Sequence, residues 1–482
     1  MFKSLISKIT IFLAAIVYIV FFYFLNKYNI LPIRYRFILL GLILLILLIF
    51  TLLIFKRKKT GKPVKAFFIF LLFLISAVEA LFMSYASTSI QTVKKINQKK
   101  SDNRIKMSLV VLRESPLETL NDLEDVQVAI AKNMDSKNIN QALKKYKKET
   151  GEDLNVEDYG DYLNLGQSLL NGNTQAILLN ENFRQMLDET LGEFSKQTRV
   201  IKSFSVKCDD KFNENKEVKK GESFNVYISG IDTYGDLSTV SRSDVNLIVS
   251  VNPKEGKILI TTIPRDTYVN IAGLGDYAND KLTHAGLFGV DTSIKTLENL
   301  LDINIDYYAK VNFTTLTQLI DLLNGVDVEN PVAFEANGGK YFPQGTIHMD
   351  GEMALAYSRE RYHLAEGDFD RGKNQVRVMT GIIRKLLSTE TLLNFNSIAE
   401  VALNSVNTNM PYDKMIEMAN GQIDQPKNWK IKSQAVRGQD ATGLPSYLMP
   451  GSNLYMMRAD EESIDQVHDG ILKNNKNNKN EQ

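Results

Sequence analysis

Three long apolar runs dominate the first ninety residues of the chain. They cover residues 9–25, 37–55 and 66–86, with few polar side chains among them. At about 1.5 Å per residue, helices of this length can cross about 30 Å of hydrocarbon. Because two more runs follow the first, the N-terminal run is not a cleavable signal peptide. The pattern therefore predicts three transmembrane helices within residues 1–90.

Basic residues in the short loops orient these helices. The loop between the second and third runs carries six Lys and Arg side chains, at positions 56–59, 62 and 65. The positive-inside rule puts such a loop in the cytoplasm. The whole count is nearly even, eight inside against nine outside, but charges that lead into a long domain have little influence. We therefore predict a multi-pass cell-membrane protein with a cytoplasmic N-terminus and extracytoplasmic C-terminal domains.

Glu79 is an acid inside the third apolar run. An intramembrane carboxyl group is a functional candidate by default. The simpler interpretation is an acid near the outer leaflet that faces a neighbouring helix or water, and we prefer that interpretation.

A small α/β accessory domain is predicted for residues 107–205. Residues 108–112 and 174–179 have the pattern of short strands, whereas residues 141–149 are helical and charged. No catalytic residue types gather in this region. We therefore interpret it as a packing or spacing module.

Three polar segments separate or end the predicted domains. Residues 91–106 are basic and indicate a stalk, and residues 208–222 indicate a linker. The Asn- and Lys-rich tail, residues 471–482, is predicted to be disordered.

Strand and helix patterns mix in residues 222–470. Strands are predicted at 224–231, 245–251 and 257–263, and helices at 292–301, 314–323, 351–361 and 375–387. This order indicates an α/β class domain, an α/β/α arrangement around a central mixed sheet. The whole chain is thus predicted to combine this domain with the accessory domain and three N-terminal transmembrane helices.

Charge and cysteine content narrow the function classes. The 482 residues include 57 Lys and Arg and 56 Asp and Glu, a net charge of +1 that argues against binding a polyanion by bulk electrostatics. One cysteine, Cys208, excludes an intramolecular disulfide and a paired-cysteine zinc site. An inert core thiol is the preferred interpretation of Cys208.

Two aspartates flank the connection between the first two predicted strands of the large domain. Asp232 follows the strand at 224–231, and Asp244 precedes the next strand. Two carboxylates so placed could share one hard cation such as Mg²⁺, which leaves its other positions to water and phosphate oxygens. Aspartate is also common in turns, so this signal is weak alone.

Basic residues follow the third strand. Arg265 would present a planar fork suited to bidentate contact with phosphate, and Lys281 could add a point charge. His284 stands close by, and we prefer a helix-cap or packing role for it over that of a catalytic base.

The densest charged segment lies between two helical patterns. It contains Arg359, Arg361, Asp368, Asp370, Arg371 and Gln375. A solvated charged face is the usual interpretation of such a run. Here Arg predominates over Lys and apolar helices flank the run, so we expect the guanidinium groups to point into a site. Several arginines and a magnesium pair suit a pyrophosphate, and the chemistry indicated is phosphoryl transfer.

Other catalytic motifs are absent from the sequence. There is no Walker A sequence, no GxGxxG between a strand and a helix, no HExxH and no GxSxG. A nucleotide is therefore not the expected donor.

At these positions the sequence resembles the LytR-CpsA-Psr family of bacterial envelope proteins, and its streptococcal capsule-locus members in particular. The resemblance runs from about residue 222 to the tail. Its motifs are specific as a set: Gly230-Ile-Asp-Thr233, Arg242-Ser-Asp244, Ile263-Pro-Arg-Asp266, and Ser358-Arg-Glu-Arg361 with the following Asp368-x-Asp-Arg-x-x-x-Gln375.

The resemblance implies an Mg²⁺-dependent phosphotransferase. It would move a glycopolymer, such as capsular polysaccharide or wall teichoic acid, from a polyprenyl pyrophosphate carrier to peptidoglycan outside the membrane. Carried over by motif, the metal ligands are Asp232 and Asp244. The pyrophosphate-binding residues are Arg265, Lys281, Arg359, Arg361, Arg371 and Gln375, and the catalytic residues are Asp232, Asp244, Arg265, Asp368 and Arg371.

The resemblance also implies partners and a place for the lipid. The partners are the lipid-linked glycopolymer, peptidoglycan and membrane lipid, with capsule assembly proteins as further candidates. The polyprenyl chain would lie in an apolar tunnel among the core helices, although an apolar helix face is more often ordinary core. Asp368 or one of the acids beside the metal would help to deprotonate the acceptor hydroxyl.

Two other functions stay open at this point. A membrane-bound regulator of capsule gene expression is one, but no helix-turn-helix or basic recognition element is visible, and no direct nucleic-acid binding is expected. A polyprenyl pyrophosphatase is the other, because water can replace the acceptor hydroxyl at the same site.

Overall fold

The computed structural model describes most of the chain. The described residues are 2–55, 62–99, 104–207, 218–231, 241–275, 278–365, 367–393, 398 and 406–477. The predicted metal ligand Asp232, the thiol of Cys208, residues 208–217 of the predicted linker and residues 478–482 of the predicted tail lie outside them.

Helices and strands alternate after an all-helical start. The helices among the described residues are α1 (Phe2–Tyr28), α2 (Ile33–Phe55), α3 (Lys62–Lys99), α4 (Lys132–Thr150), α5 (Tyr162–Leu170), α6 (Arg184–Leu191), α7 (Phe194–Gln197), α8 (Leu282–Ala285), α9 (Val290–Leu301), α10 (Phe313–Leu322), α11 (Gly351–Arg359), α12 (Asp368–Leu386), α13 (Thr389–Leu393), α14 (Tyr412–Asp424) and α15 (Glu461–Asn475).

The strands form two sheets and four small pairs. They are β1 (Arg104–Leu112), β2 (Val128–Ile130), β3 (Val156–Asp158), β4 (Ala176–Asn180), β5 (Thr198–Lys207), β6 (Phe224–Ile231), β7 (Ser243–Asn252), β8 (Lys257–Thr262), β9 (Tyr268–Asn270), β10 (Asn279–Lys281), β11 (Tyr307–Asn312), β12 (Val326–Asn330), β13 (Phe334–Ala336), β14 (Lys340–Phe342), β15 (Gly345–Met349), β16 (Asn407–Thr408), β17 (Lys430–Ala435), β18 (Gly438–Thr442) and β19 (Tyr455–Ala459).

The chain divides into two compact units. The first consists of Met1–Asn97, Arg384–Leu403 and Met410–Asn428, and the second of Gln98–Ile383, Asn404–Asn409 and Trp429–Gln482.

The first unit contains the apolar helices. Ser7–Tyr28, Ile33–Phe55 and Pro63–Thr88 are each long and apolar enough to cross a membrane. The prediction of three such helices is confirmed. α3 continues beyond its apolar part to Lys99, so helix covers much of the segment predicted to be a stalk.

Glu79 is buried within this first unit. Its carboxyl oxygens have no hydrogen-bond partner among the described residues. It faces an apolar cavity of about 1010 Å³ lined by α1, α2, α3 and residues from Leu387 to Pro426. The carboxyl group therefore faces a space between helices.

The accessory sheet in the second unit is mixed. Its strand order is β3-β2-β4-β1-β5, and β1 runs antiparallel to both β4 and β5. Alternate residues of a strand point to opposite faces. Leu109 and Val111 accordingly pack with residues of α4, whereas Val110 packs with residues of α5, α6 and α7. The strands and helix predicted here are confirmed, with shifted ends.

The central sheet contains both parallel and antiparallel pairs, as predicted. Its strands lie in the order β16-β11-β6-β7-β8-β17, with β11 parallel to β6, β17 parallel to β8, and antiparallel pairs between β6, β7 and β8. Tyr227 and Ile248 pack with α9 and α15 on one face. Ile228 and Leu247 face α10, α11 and α12 on the other. The α/β/α arrangement is confirmed.

Several predicted boundaries differ from the structure, and three at helix ends matter most. α11 ends at Arg359, because Glu360 has the extended angles φ −67° and ψ 135°. α12 begins at Asp368 and not at 375, with two acids in its first turn that favour the positive end of the helix dipole. α15 continues to Asn475, so the first part of the tail predicted to be disordered is helical.

Candidate active site

One edge of the central sheet gathers the predicted site residues. β6 ends where β7 begins, since Ile231 pairs with Ser243. β8 ends at the same edge, and the backbone N–H of Ile263 donates to Asn246 of β7. Asp244 starts β7 and Arg265 follows β8, so these two distant sequence positions meet.

Asp244 is held by two partners. Its Oδ2 lies 3.1 Å from Nη1 of Arg265, and its Oδ1 accepts a hydrogen bond of 3.0 Å from the hydroxyl of Thr283. The preceding residue, Ser243, is buried and hydrogen-bonded to the hydroxyl groups of Tyr227 and Ser229. The start of β7 is therefore fixed from both sides.

A close backbone approach also fixes this strand start. A Cβ atom at Gly286 would lie 2.7 Å from the carbonyl oxygen of Ser241 and 2.8 Å from the amide nitrogen of Ser243. Only glycine fits there without a shift of the backbone that leads into Asp244.

Arg265 is surrounded by acids. Its Nη1 contacts Asp244, and its Nε lies 3.5 Å from Oδ2 of Asp266. Burial opposes its charge, but Asp244, Asp266 and Asp368 outweigh burial and raise the pKa of Arg265. The guanidinium group is therefore a fixed positive charge at the sheet edge.

α12 supplies a second arginine and a polar partner. Arg371 and Gln375 are four residues apart and share one face of the helix. Nη2 of Arg371 lies 2.5 Å from Oδ1 of Asp368. Burial lowers the pKa of Arg371, and the nearby positive charges of Arg265 and Arg361 lower it further. The carboxylates of Asp368 and Asp244 act in the opposite direction but do not outweigh these effects. A concentration of positive charge this tight favours an incoming anion.

The two remaining arginines are oriented by aromatic rings. The guanidinium carbon of Arg359 lies 4.2 Å from the ring centroid of Phe313, and that of Arg361 lies 4.5 Å from the ring of Tyr362. Contacts of this kind stabilise a cation and fix the plane of the fork.

These groups line one cavity together with many apolar side chains, and we call it the first cavity. It has a volume of about 640 Å³ and lies between the central sheet and α10, α11 and α12. The predicted site residues in its lining are Asp244, Arg265, Arg359, Arg361, Arg371 and Gln375, and other charged or polar lining residues are Asn312, Asn337, Lys340, Glu352, Ser358 and Glu360. The rest is largely apolar, with side chains such as Leu247, Leu316, Leu355 and Val378.

Lys281 does not line the first cavity. Its Nζ is ion-paired with Oδ1 of Asp266 at 2.8 Å. It lines a second cavity of about 460 Å³, together with Met186, Glu189, Thr190, Arg242, Asp244, Arg265, Asp266, Thr283, His284, Met449, Ser452, Asn453 and Leu454. The two cavities share two residues, Asp244 and Arg265.

His284 is buried in α8 and held by a carboxylate. Its Nδ1 lies 2.8 Å from Oδ1 of Asp280, which is fully buried. The other carboxylate oxygen of Asp280 accepts from Ser446 and from the backbone of Leu448. These contacts give His284 the structural surroundings that the packing interpretation requires.

Sequence reasoning missed Glu360 as a site-forming residue. It is buried, and its carboxylate accepts hydrogen bonds from the backbone N–H groups of Asn337, Arg361, Tyr362 and His363. Burial alone would raise the pKa of Glu360, but these contacts and the His363 ring lower it. Glu360 forms the turn that presents Arg361. Its position between two arginines in the sequence could have indicated this role.

Asp266, Thr283 and Phe313 were missed for different reasons. Asp266 stands beside Arg265 in the quoted motif, so its ion pair was detectable. Thr283 and Phe313 have common residue types at unremarkable positions, and only the fold brings them to Asp244 and Arg359.

Hard oxygen donors are present for a divalent cation. Among the described residues no group of three or more His, Cys, Asp and Glu side chains is placed to hold a metal ion. Asp244 offers a carboxylate in the lining of the first cavity, and Mg²⁺ needs only one or two carboxylates beside phosphate oxygens and water. Among the described residues, Asp244 is thus the one predicted ligand available to that ion.

The chain combines an α/β/α domain with three apolar N-terminal helices. The arginines in the lining of a largely apolar cavity suit a ligand that is both apolar and phosphorylated, an amphiphilic phosphate ester. Residues 177–470, more than half of the chain, match the LytR_cpsA_psr family. The chain belongs to this family. Residues 58–179 also match a family described as DNA polymerase processivity factor, over less than half of the chain.

Curated relatives and solved structures resemble the chain over about half its length. It is 37% identical over 217 residues to the polyisoprenyl-teichoic acid–peptidoglycan teichoic acid transferase TagU of Bacillus cereus (strain AH820), covering 45% of this chain and 70% of the relative. The TagU of Enterococcus faecalis is 35% identical over 262 residues, covering 54% and 81%. The crystal structure of B. subtilis TagV has 28% identity and a TM-score of 0.45, covering 53% and 98%.

Proposed function

We propose that this protein is a phosphotransferase that moves a glycopolymer from a polyprenyl pyrophosphate carrier to peptidoglycan. The observation that carries the proposal is that Arg265, Arg359, Arg361 and Arg371 all line the largely apolar first cavity. A pyrophosphate has a dense negative charge that suits these guanidinium forks, and a polyprenyl chain suits the apolar remainder. The names of the TagU relatives, which specify teichoic acid transfer to peptidoglycan, support the same reaction.

The proposed step is one substitution at phosphorus. The acceptor hydroxyl oxygen forms a bond to the phosphorus that carries the polymer. The bond from that phosphorus to the bridging oxygen breaks, and the lipid monophosphate leaves with the electron pair. The hydroxyl proton passes to a carboxylate, either that of Asp368, whose Oδ1 is held by Arg371, or one of the acids beside the metal site, such as Asp244, which lines both cavities. In such a reaction the protein mainly positions groups and neutralises charge.

The arginines have separate parts in this step. Arg265 and Arg371 are the more deeply buried pair and carry the charge that develops on the leaving phosphate. Arg359 and Arg361 lie on rings and hold the pyrophosphate in place before the reaction. Charge-stabilising groups in a site shielded from water have large effects on rate.

Magnesium is part of the proposal. Asp244, with Asp232 from the adjoining motif, would hold Mg²⁺ beside the pyrophosphate. When bound, the ion would supply further neutralisation of phosphate charge. Capsular polysaccharide is the proposed polymer, on the strength of the resemblance to capsule-locus members. The basic loop at 56–59 supports an orientation that places the large domain outside the cytoplasm.

A transfer assay with the full chain in detergent tests the site. Donor is a lipid-linked glycopolymer, acceptor is a glycan strand, and both polymer transfer and lipid phosphate release are followed. Arg265→Ala and Arg371→Ala are each expected to lower the transfer rate at least about a hundredfold.

Lys373→Ala is the matched control on the same helix. Lys373 is ion-paired with Asp370 and does not line the first cavity, so its removal is expected to leave the rate within about twofold. If Arg265→Ala and Arg371→Ala both kept transfer rates within about twofold of the unsubstituted chain, the site would lie elsewhere. Phosphate release without polymer transfer, with acceptor present, would identify a pyrophosphatase instead.

A further inference from the structure

The second cavity adjoins the Asp244–Arg265 pair, which also lines the first cavity. These two residues line both cavities, and no other described residue does. The first cavity is formed by the central sheet and the helices that cover it. The second is formed by α6 of the accessory domain, by α8 and by the segment Met449–Leu454. A group bound at the shared pair is therefore accessible from two chemically different sides.

The accessory domain is a fixed wall of the second cavity. Leu287, Leu448 and Met449 of the large domain pack into the same buried cluster as Tyr162 and Phe183 of the accessory domain. Asn182 also donates a hydrogen bond of 3.1 Å to the carbonyl oxygen of Leu287. An apolar interface with buried hydrogen bonds holds two domains in a single arrangement.

An ion pair ties α6 directly to the site motif. Nη1 and Nη2 of Arg242 lie 2.7 and 2.6 Å from the two carboxylate oxygens of Glu189. Arg242 stands two positions before Asp244. A bidentate contact of this kind fixes geometry as well as charge. The accessory domain thus holds a residue two positions before Asp244, which lines both cavities.

The direction of the proposed reaction assigns a role to the second cavity. In a phosphoryl transfer the attacking and leaving oxygens lie roughly in line on opposite sides of phosphorus. If the lipid and its leaving phosphate occupy the first cavity, the attacking hydroxyl arrives from the opposite side. The second cavity is a space outside the first that reaches the same Asp244–Arg265 pair, so we assign the attacking side to it.

The lining of the second cavity matches carbohydrate. Glu189, Asp266 and Asn453 offer oxygen acceptors, and Lys281 and Arg242 offer N–H donors. Met186 and Met449 add apolar surface for a sugar ring. The lining lacks the continuous apolar surface of the first cavity, so it does not suit a second lipid chain.

We propose that the second cavity is the acceptor subsite and binds a sugar of the peptidoglycan glycan, with the accessory domain forming one wall. This inference rests on the proposed transferase function. It gives the accessory domain a part in acceptor recognition, beyond the packing or spacing role predicted from sequence.

Filling the second cavity from either wall tests the inference. The variants are Thr190→Trp on the accessory wall and Asn453→Trp on the opposite, exposed wall, each in the full chain in detergent. Donor and acceptor concentrations are varied separately in the transfer assay. We expect the KM for the glycan acceptor to rise at least about tenfold in both variants, a change of about 1.4 kcal/mol, while the KM for the lipid-linked donor stays within about twofold.

Lys148→Trp is the matched control. Lys148 is an exposed residue of α4, which covers the opposite face of the accessory sheet. Both KM values are expected to stay unchanged in it. An unchanged acceptor KM in both cavity variants would overturn the inference. An equal rise in donor KM would also overturn it, because the cavity would then hold sugars of the donor. Absence of transfer by the unsubstituted chain would instead overturn the proposed function, and the inference with it.

Discussion

The two cavities beside Asp244 and Arg265 differ in the surfaces that form them. The first cavity takes its apolar walls from strands and helices of a single α/β/α domain. The second takes its more polar walls from two domains and from the loop Met449–Leu454. The same ion pair therefore stands at the boundary between an apolar and a polar environment. This arrangement suits a reaction that joins a lipid-bound donor to a hydrophilic acceptor.

The difference also shows what each domain contributes. A site for a long apolar chain needs the continuous interior of one domain, where a sheet and its helices are packed together. A polar site can be built at a domain boundary, because charged and hydroxyl side chains are plentiful on the surfaces that meet there. The accessory domain has no part in lining the first cavity.

Among variants that keep every charged site residue, the largest effect is expected from a change that displaces the shared pair. In Gly286→Ala the added Cβ meets the backbone of Ser241 and Ser243, which leads into Asp244. Overpacking forces the backbone to shift. Because a misplaced Asp244 no longer holds Arg265 in position, we expect the transfer rate to fall by about tenfold or more and both KM values to change. Steady-state kinetics with separate titration of donor and acceptor measures this.

Gly421→Ala is the control for that change. A Cβ at Gly421 meets nothing within 4 Å, and its kinetics are expected to match those of the unsubstituted chain. A Gly286→Ala protein with normal kinetics would mean that the position of Asp244 does not depend on this close approach.

An intermediate effect, confined to the donor, is expected from filling the first cavity. Ala356 lines this cavity on α11 and does not line the second. Ala356→Trp is expected to raise the donor KM about tenfold, or about 1.4 kcal/mol, because the polyprenyl chain loses space. The acceptor KM should stay the same, which is the reverse of the pattern expected for Thr190→Trp.

Lys432→Trp, on an exposed position of β17, provides the control for bulk alone. If Ala356→Trp and Thr190→Trp changed the same KM, the separation of the two cavities by substrate would be wrong.

The smallest effect is expected on stability, from the carboxylate that supports the second cavity. Asp280 is fully buried, and burial opposes its charge. Its contacts with His284 and with the backbone N–H groups of Leu448 and Lys281 outweigh burial and lower the pKa of Asp280. Its contribution to stability is therefore complete above the ordinary aspartate pKa of about 4 and is lost as the pH falls below that value.

Thermal unfolding of the full chain in detergent measures this contribution. Asp280→Asn is expected to lower the midpoint at pH 7 by a few degrees, for a loss of about 1 kcal/mol. The difference from the unsubstituted chain should shrink as the pH falls below about 4. Asp465→Asn, at an exposed position of α15, should have no effect at either pH. A midpoint difference that grew on acidification would contradict the assigned direction of the pKa change.

Much of the fold could be predicted because its patterns are local. The three apolar runs and the strands β6, β7 and β8 follow from continuous hydrophobic stretches and turn residues. The start of α12 could not be predicted in this way, because the segment at 368–375 has the composition of a charged loop. It is helical since two acids stabilise its first turn and its arginine face packs against the site.

The candidate site shows the same division. Arg265, Arg359, Arg361, Arg371, Gln375 and Asp244 were selected by residue type and spacing, and they do line one cavity. Lys281 was selected by the same reasoning but lies in the other cavity, paired with Asp266. The number of residues between Lys281 and the arginines did not indicate which of the two cavities beside Asp244 Lys281 would line.

The sequence by itself determined the apolar N-terminal helices, the mixed α/β class and the kinds of side chain that gather for an anion. These properties depend on local periodicity and on the chemistry of single residues. The tertiary structure decided that Asp244 and Arg265 line two cavities, that Phe313 lies under Arg359, and that Glu189 of the accessory domain reaches Arg242. Such contacts depend on how strands order in a sheet and how two domains pack, and neither is encoded in the neighbours of a residue along the chain.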